Sequence, residues 1–151
     1  MRPRFRPLSD AAKQRKAACG GMNATEAAFA AHLEQRCKRN EFLAYGFQQR
    51  SLPIPNGTVL YTPDFVVQEV DLSVTYYEVK GSKRTKPTKR FPLGNVVPIV
   101  TEAARLRIKV AAALYPDRRF VMVWPNGPYV WLEKDYSAKA RNGSALARIL
   151  D

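Results

Sequence analysis

The chain is predicted to adopt an α/β fold, a mixed β-sheet flanked by helices, in the order helix, three strands, helix, strand, strand. Three observations lead there. Asn23-Ala24-Thr25-Glu26 opens a run with apolar residues at helical spacing. Three β-rich segments between Phe42 and Lys80 are divided by turn signals. A second helical run, stopped by Pro116, separates the third of these from the apolar segment Arg119–Trp124. A strand–helix–strand unit of this kind forms a right-handed crossover, so the fourth strand should lie parallel to the third.

Each element has a local cause. Asn23 caps the first helix and Glu26 completes a capping box; Ala27, Phe29, Ala30, Leu33 and Cys37 supply its apolar positions, and Asn40 ends it. Phe42–Ile54 reads as a strand, Pro55-Asn56-Gly57 as a hairpin turn, and Thr58–Val67 as the return strand. Gln68–Ser73 turns the chain into a third strand, Val74–Lys80. Gly81–Gly94 is polar, basic and broken by Pro87 and Pro92, which reads as a loop. The second helix starts at Ile99 or Thr101 and runs to about Tyr115, with Ala104, Ile108, Ala111, Ala112 and Tyr115 on its apolar side. Arg119–Trp124 is a buried strand, Pro125-Asn126-Gly127-Pro128 a turn, Tyr129–Glu133 a last strand, and Ser137–Leu150 a terminal helix.

Length and composition allow one domain with a real core: 151 residues, 46% of them hydrophobic. The expected division is a basic arm over 1–21, a domain over 22–136, and a C-terminal helix or tail over 137–151. No apolar run approaches the about 18 residues that a spanning helix needs. Arg2, Arg4, Arg6, Lys13, Arg15 and Lys16 make the start too polar for a secretory signal, although an Arg-rich, acid-poor start also suits an organelle transit peptide. Cys19, Cys37 and the single histidine, His32, have neither disulfide-framework nor zinc spacing, so free thiols in a reducing cytoplasm are expected.

The formal net charge is +12. On a small domain this favours a polyanionic partner, nucleic acid before an anionic membrane. Lys83, Arg84, Lys86, Lys89 and Arg90 crowd the segment after Lys80 and suit phosphate contacts, which give affinity without base sequence. Trp124, Tyr129 and Trp131 suit base stacking, but aromatic residues on strands are more often core.

The chemistry concentrates in Tyr61-Thr62-Pro63-Asp64-Phe65 and Tyr77-Glu78-Val79-Lys80-Gly81. Alternate side chains of a strand share a face, so Glu78 and Lys80 point together while Val79 points away. Phosphodiester hydrolysis asks for a cation that polarises the phosphoryl oxygen and for a nucleophilic water. Mg²⁺ takes hard oxygen ligands and keeps several waters, so Asp64, Glu78 and the Val79 carbonyl suffice to hold it. Lys80 would orient the water and offset charge in the transition state. A plainer reading stays open: Asp64 as a turn residue and Glu78–Lys80 as an ion pair. Glu26 likewise has two readings, a capping residue or a third carboxylate at the end of the helical stripe Glu26, Ala30, Leu33, Cys37, placed to approach a second cation.

Glu26, Pro63-Asp64 and Glu78-Val79-Lys80, in this order and on these elements, resemble the PD-(D/E)XK nuclease superfamily. Met22–Ala27, Thr62-Pro63-Asp64-Phe65, Glu78-Val79-Lys80-Gly81 and Arg107–Ala112 followed by Tyr115-Pro116 are similar to small phage-borne members related to endonuclease I-type Holliday-junction resolvases. The resemblance covers residues 22–124. It implies a restriction-endonuclease-like core and hydrolysis of phosphodiester bonds with Mg²⁺, for which Mn²⁺ substitutes. It assigns catalytic roles to Glu26, Asp64, Glu78 and Lys80 and suggests a phosphate-side role for Lys109, whose plainer reading is a solvated helix face with Arg105 one turn before it; Arg105 and Lys109 are both candidate nucleic-acid contacts. It also places the protein in a host cytoplasm. The basic arm and the basic segment 82–93 depart from the compact pattern and leave the substrate open. The expected function is a metal-dependent endonuclease on branched DNA, a junction resolvase acting as a homodimer because a junction has two-fold character. The alternatives are a nuclease for linear duplex DNA or RNA, and a non-catalytic basic module that binds nucleic acid.

Overall fold

A computed structural model describes residues 20–54 and 60–137. The expected basic arm with Cys19, the turn expected at Pro55-Asn56-Gly57 with Thr58, and the terminal helix expected after Ser137 fall outside the described residues. The elements in chain order are α1 (Ala24–Lys38), β1 (Ala44–Phe47), β2 (Leu52–Pro53), β3 (Leu60–Tyr61), β4 (Phe65–Gln68), β5 (Val74–Val79), β6 (Ser82–Arg84), β7 (Val96–Pro98), α2 (Glu102–Leu114), β8 (Arg119–Pro125) and β9 (Trp131–Asp135). No helix among the described residues is long and apolar enough to cross a membrane.

Five strands form one mixed sheet in the order β1-β4-β5-β8-β9. β5 and β8 are parallel and joined through α2; the other neighbours are antiparallel. The α/β class, the mixed sheet and the parallel third and fourth principal strands match the expectation. A sheet with two wetted faces would waste its apolar residues, so a helix covers each. α1 lays Phe29 and Leu33 on Phe65, Val67, Tyr77, Val79, Val121 and Val123. α2 lays Ile108, Ala111 and Ala112 on Tyr76, Phe120 and Met122, together with Tyr61 and Leu52. Strand alternation sorts Tyr76 and Tyr77 to opposite sides, and both are buried because β5 is central.

Both helix starts follow their capping residues. The Asn23 side chain accepts the Glu26 N–H at 2.9 Å and the Glu26 carboxylate accepts the Asn23 N–H at 2.8 Å. Thr101 caps α2 by accepting the Ala104 N–H. Asn40, with φ 59°, turns the chain out of α1.

Four expectations need correction. Phe42–Ile54 is not one strand: β1 stops at Phe47, and Gln48, at φ 47°, donates its N–H to the Asp64 carbonyl at 2.8 Å. Thr58–Val67 is also divided, because Pro63 has no N–H to continue a ladder; β3 pairs with β2 in a separate ribbon and β4 begins at Phe65. The last strand starts at Trp131, since Asn126 N–H bonds the Val130 carbonyl and holds the intervening residues, with Tyr129 88% exposed, in the turn. Finally, Gly81–Gly94 is not a plain loop. Ser82–Arg84 pairs antiparallel with Val96–Pro98, and Thr85 N–H to the Asn95 carbonyl extends the pairing, so the basic segment begins in a β-ribbon whose connecting loop carries Lys86, Lys89 and Arg90.

Gly94 closes that ribbon at φ 74°, where a Cβ would meet the Thr85 carbonyl oxygen. Gly94→Ala should cost about 1–3 kcal/mol locally. The expected result is faster amide exchange across residues 82–98 with exchange in the main sheet unchanged.

Candidate active site

Pro63 shapes the site. The β4–β5 register pairs Phe65 with Tyr77, and one further step sets Asp64 opposite Glu78 and Pro63 opposite Val79. The Asp64 carboxylate accepts the Val79 N–H at 2.8 Å. In an extended chain a residue's N–H and C=O point to the same edge. The Val79 carbonyl thus faces Pro63, which has no N–H to offer it.

Glu78 and Lys80 share the α2 face of β5, as alternation requires, and lie 2.7 Å apart with side chains only 12% and 23% exposed. The second Glu78 oxygen accepts the Tyr61 hydroxyl at 3.1 Å. Tyr61 is buried, so its ring, packed on Phe120, is a rigid support for that carboxylate.

Electrostatics tie these groups together. Asp64 is 9% exposed, and its carboxyl is pushed up to about 7, first by burial and then by the Glu78 charge. The Val79 N–H pulls the other way, Glu26 adds a further upward push, and Lys80 a downward one. Burial, and after it the Glu78 charge and hydrogen bond, hold the Tyr61 phenol far above its usual value, against a pull from Arg107. Two carboxylates facing one ammonium leave an excess of negative charge when both are ionised. That donor set suits a hard divalent cation.

The sequence-predicted residues divide as follows. Asp64, Glu78, Lys80 and the Val79 backbone come together. Glu26 sits at the start of α1, with Ala30, Leu33 and Cys37 of its stripe packed on or against the sheet. Its charge reaches Asp64, yet one of its oxygens is spent on the Asn23 N–H. Among the described residues no three acidic, His or Cys side chains gather into a ready-made metal cluster. Glu26 thus caps the helix, and its charge adds to the upward push on the Asp64 carboxyl.

Lys83, Arg84, Lys86, Lys89 and Arg90 are exposed on the ribbon that begins two residues after Lys80 and on its connecting loop. Arg84 donates to the Leu93 carbonyl at 3.2 Å and Arg90 lies over the Phe91 ring. Arg105 pairs with Glu102 at 3.2 Å, and Lys109 is exposed on α2, while Ile108 is buried. Trp131 is half-buried and packs against the core, 4.9 Å from Phe29; Trp124 is also half-buried, with its indole N–H on the Val96 carbonyl at 3.3 Å. Tyr61 and Arg107 were not singled out by sequence. Tyr61 lies three residues before Asp64, but its link to Glu78 depends on the break at Pro63.

A cavity of about 650 Å³ lies at the opposite end of the sheet between Arg36, Glu41, Glu69 and Arg119. Its charges satisfy one another: Arg36 with Glu41 at 2.6 Å, Arg119 with Asp135 at 2.8 Å, and Glu69 with the Thr75 hydroxyl at 2.7 Å. The excess of negative charge is thus at the Asp64 end. No protein-family model matches the chain, and no curated protein or solved structure matches it significantly.

Proposed function

We propose that the protein is a metal-dependent endonuclease of the PD-(D/E)XK kind that hydrolyses phosphodiester bonds in branched DNA, as a Holliday-junction resolvase does, with Mg²⁺ or Mn²⁺. The observation that carries this reading is the convergence of Asp64, Glu78, Lys80 and the Val79 backbone at one end of the sheet. Asp64, Glu78 and the Val79 carbonyl would hold the cation, and Glu26 would contribute field. The bound cation supplies polarisation of the phosphoryl oxygen and stabilisation of the leaving oxygen. Lys80 is held by Glu78 so that its ammonium orients the attacking water and offsets charge on the phosphoryl oxygens. Tyr61 fixes the Glu78 carboxylate. The ribbon cations, with Arg105 and Lys109, would track the phosphate backbone, and a homodimer would place two sites on two opposed strands of a junction.

The direct test is cleavage of a labelled four-way junction with Mg²⁺, compared with EDTA and with linear duplex of matched sequence. Paired symmetric cuts on the junction alone, lost with EDTA, are expected. Equal cutting of duplex would keep the nuclease and remove the junction preference. A non-catalytic module is favoured by one observation: Glu78 with Lys80 and Asp64 with Val79 satisfy each other without a cation. Binding without cutting in either Mg²⁺ or Mn²⁺ would establish it.

Tyr61→Phe removes only the hydroxyl that holds Glu78. Single-turnover cleavage should fall about tenfold, equivalent to about 1.4 kcal/mol of barrier, with the melting temperature nearly unchanged. A wild-type rate would show that Tyr61 is packing alone.

A further inference from the structure

Beneath the ribbon, between β7, the start of α2 and the β8–β9 pair, lies a cavity of about 380 Å³. Lys83, Arg105 and Lys134 line it together with Trp124, Tyr136 and Ile99, and no carboxylate does. Three cations around one small space repel each other. Arg105 is compensated by Glu102 on its own helix, whereas Lys83 and Lys134 have no ion pair among the described residues. Lys134 instead lies over the Tyr136 ring at 5.3 Å. The segment Ser82–Val100 above the cavity contains no acidic residue. The space therefore presents positive charge and aromatic surface at once, the combination that takes a phosphate and a base.

Its position relative to the candidate active site follows from the sheet. β5 and β8 run parallel with Val79 beside Val123, and the Lys80 N–H bonds the Val123 carbonyl at 2.9 Å. One step further along this register sets Trp124 beside Lys80. The bond from the indole N–H to the Val96 carbonyl fixes the ring between the ribbon and the sheet.

We propose that this cavity receives a single unpaired nucleotide of the bound nucleic-acid strand, its base against Trp124 and its phosphate between Lys83, Arg105 and Lys134. An occupant of that kind would anchor a branch or distortion one strand away from Lys80. It presupposes the nucleic-acid reading above, but not cleavage.

The test uses the full chain carrying Asp64→Asn, so that cutting does not intervene, with a duplex containing one unpaired 2-aminopurine and the same duplex fully paired. The unpaired duplex should bind about tenfold tighter, the effect of one stacked base, with its fluorescence quenched on binding. Lys134→Glu, an exposed position, should bring the affinity ratio to about one, and Trp124→Leu should remove the quenching. Equal affinities for the two duplexes, or quenching that survives both substitutions, would overturn the site while leaving the nucleic-acid reading intact. Failure to bind either duplex would overturn both.

Discussion

Asp64→Asn is expected to abolish cleavage and, at the same time, to make the metal-free protein more stable at about pH 8. The carboxyl is pushed from an ordinary 3.8 up to about 7 by burial and by Glu78, so the folded protein holds a charge it would rather neutralise. Below about pH 4 the group is protonated in both folded and unfolded chains, and nothing is lost. As pH rises from about 4 to about 7 the unfolded chain ionises freely while the folded one resists, so stability falls, and above about 7 the full cost is present. A displacement of this size corresponds to on the order of 4 kcal/mol. Asparagine keeps an oxygen for the Val79 N–H and removes the charge. Thermal melting should show the variant ahead of wild type at about pH 8 and level with it at about pH 4. Mg²⁺ should raise the melting point of wild type but not of the variant. A variant that melts at or below wild type at about pH 8 would show that Asp64 carries no such cost.

Lys80→Ala should lower cleavage by about 10²–10³, the range seen when a preorganised group facing developing charge is removed. DNA affinity should fall by no more than the share of one cation among many, and its salt dependence should lose about one unit of slope. The ammonium lies 2.7 Å from a Glu78 that is 12% exposed, so some stability should also be lost through the unpaired carboxylate. Single-turnover rates beside binding isotherms separate these effects. A rate within threefold of wild type would remove Lys80 from the chemistry.

Much of the architecture was readable from local chemistry. Asn23 and Glu26 mark the start of α1 because their side chains satisfy orphan backbone donors within three residues. The alternation through Val74–Val79, with a second helical run and an apolar strand after it, led to a parallel β5–β8 pair. That Glu78 and Lys80 share a face needed only the period of a strand.

Other features were not readable because they depend on partners distant in sequence. A run as apolar as Phe42–Ile54 looks continuous; it breaks at Gln48, where φ is 47° just past the last rung to β4, a strand the chain reaches only after another turn. The basic segment after Gly81 looks like a loop because Pro87, Pro92 and its cations dominate it. Its pairing is set by Val96–Pro98, docked by Trp124. That the Arg107 charge is felt at Tyr61 likewise depends on how α2 packs on the sheet.

By itself, then, the sequence determined the class of fold, the helix starts, the faces of the central strand and the residue types suited to the proposed chemistry. These follow from backbone periodicity and capping, which act within a few residues. Tertiary structure alone decided that Asp64 takes the Val79 N–H, that Tyr61 secures Glu78, that Glu26 contributes field while capping its helix, and that cations from three elements meet around Trp124. Each of these rests on burial and on distances across the sheet, where a charge's energy depends on what surrounds it rather than on its neighbours in the chain.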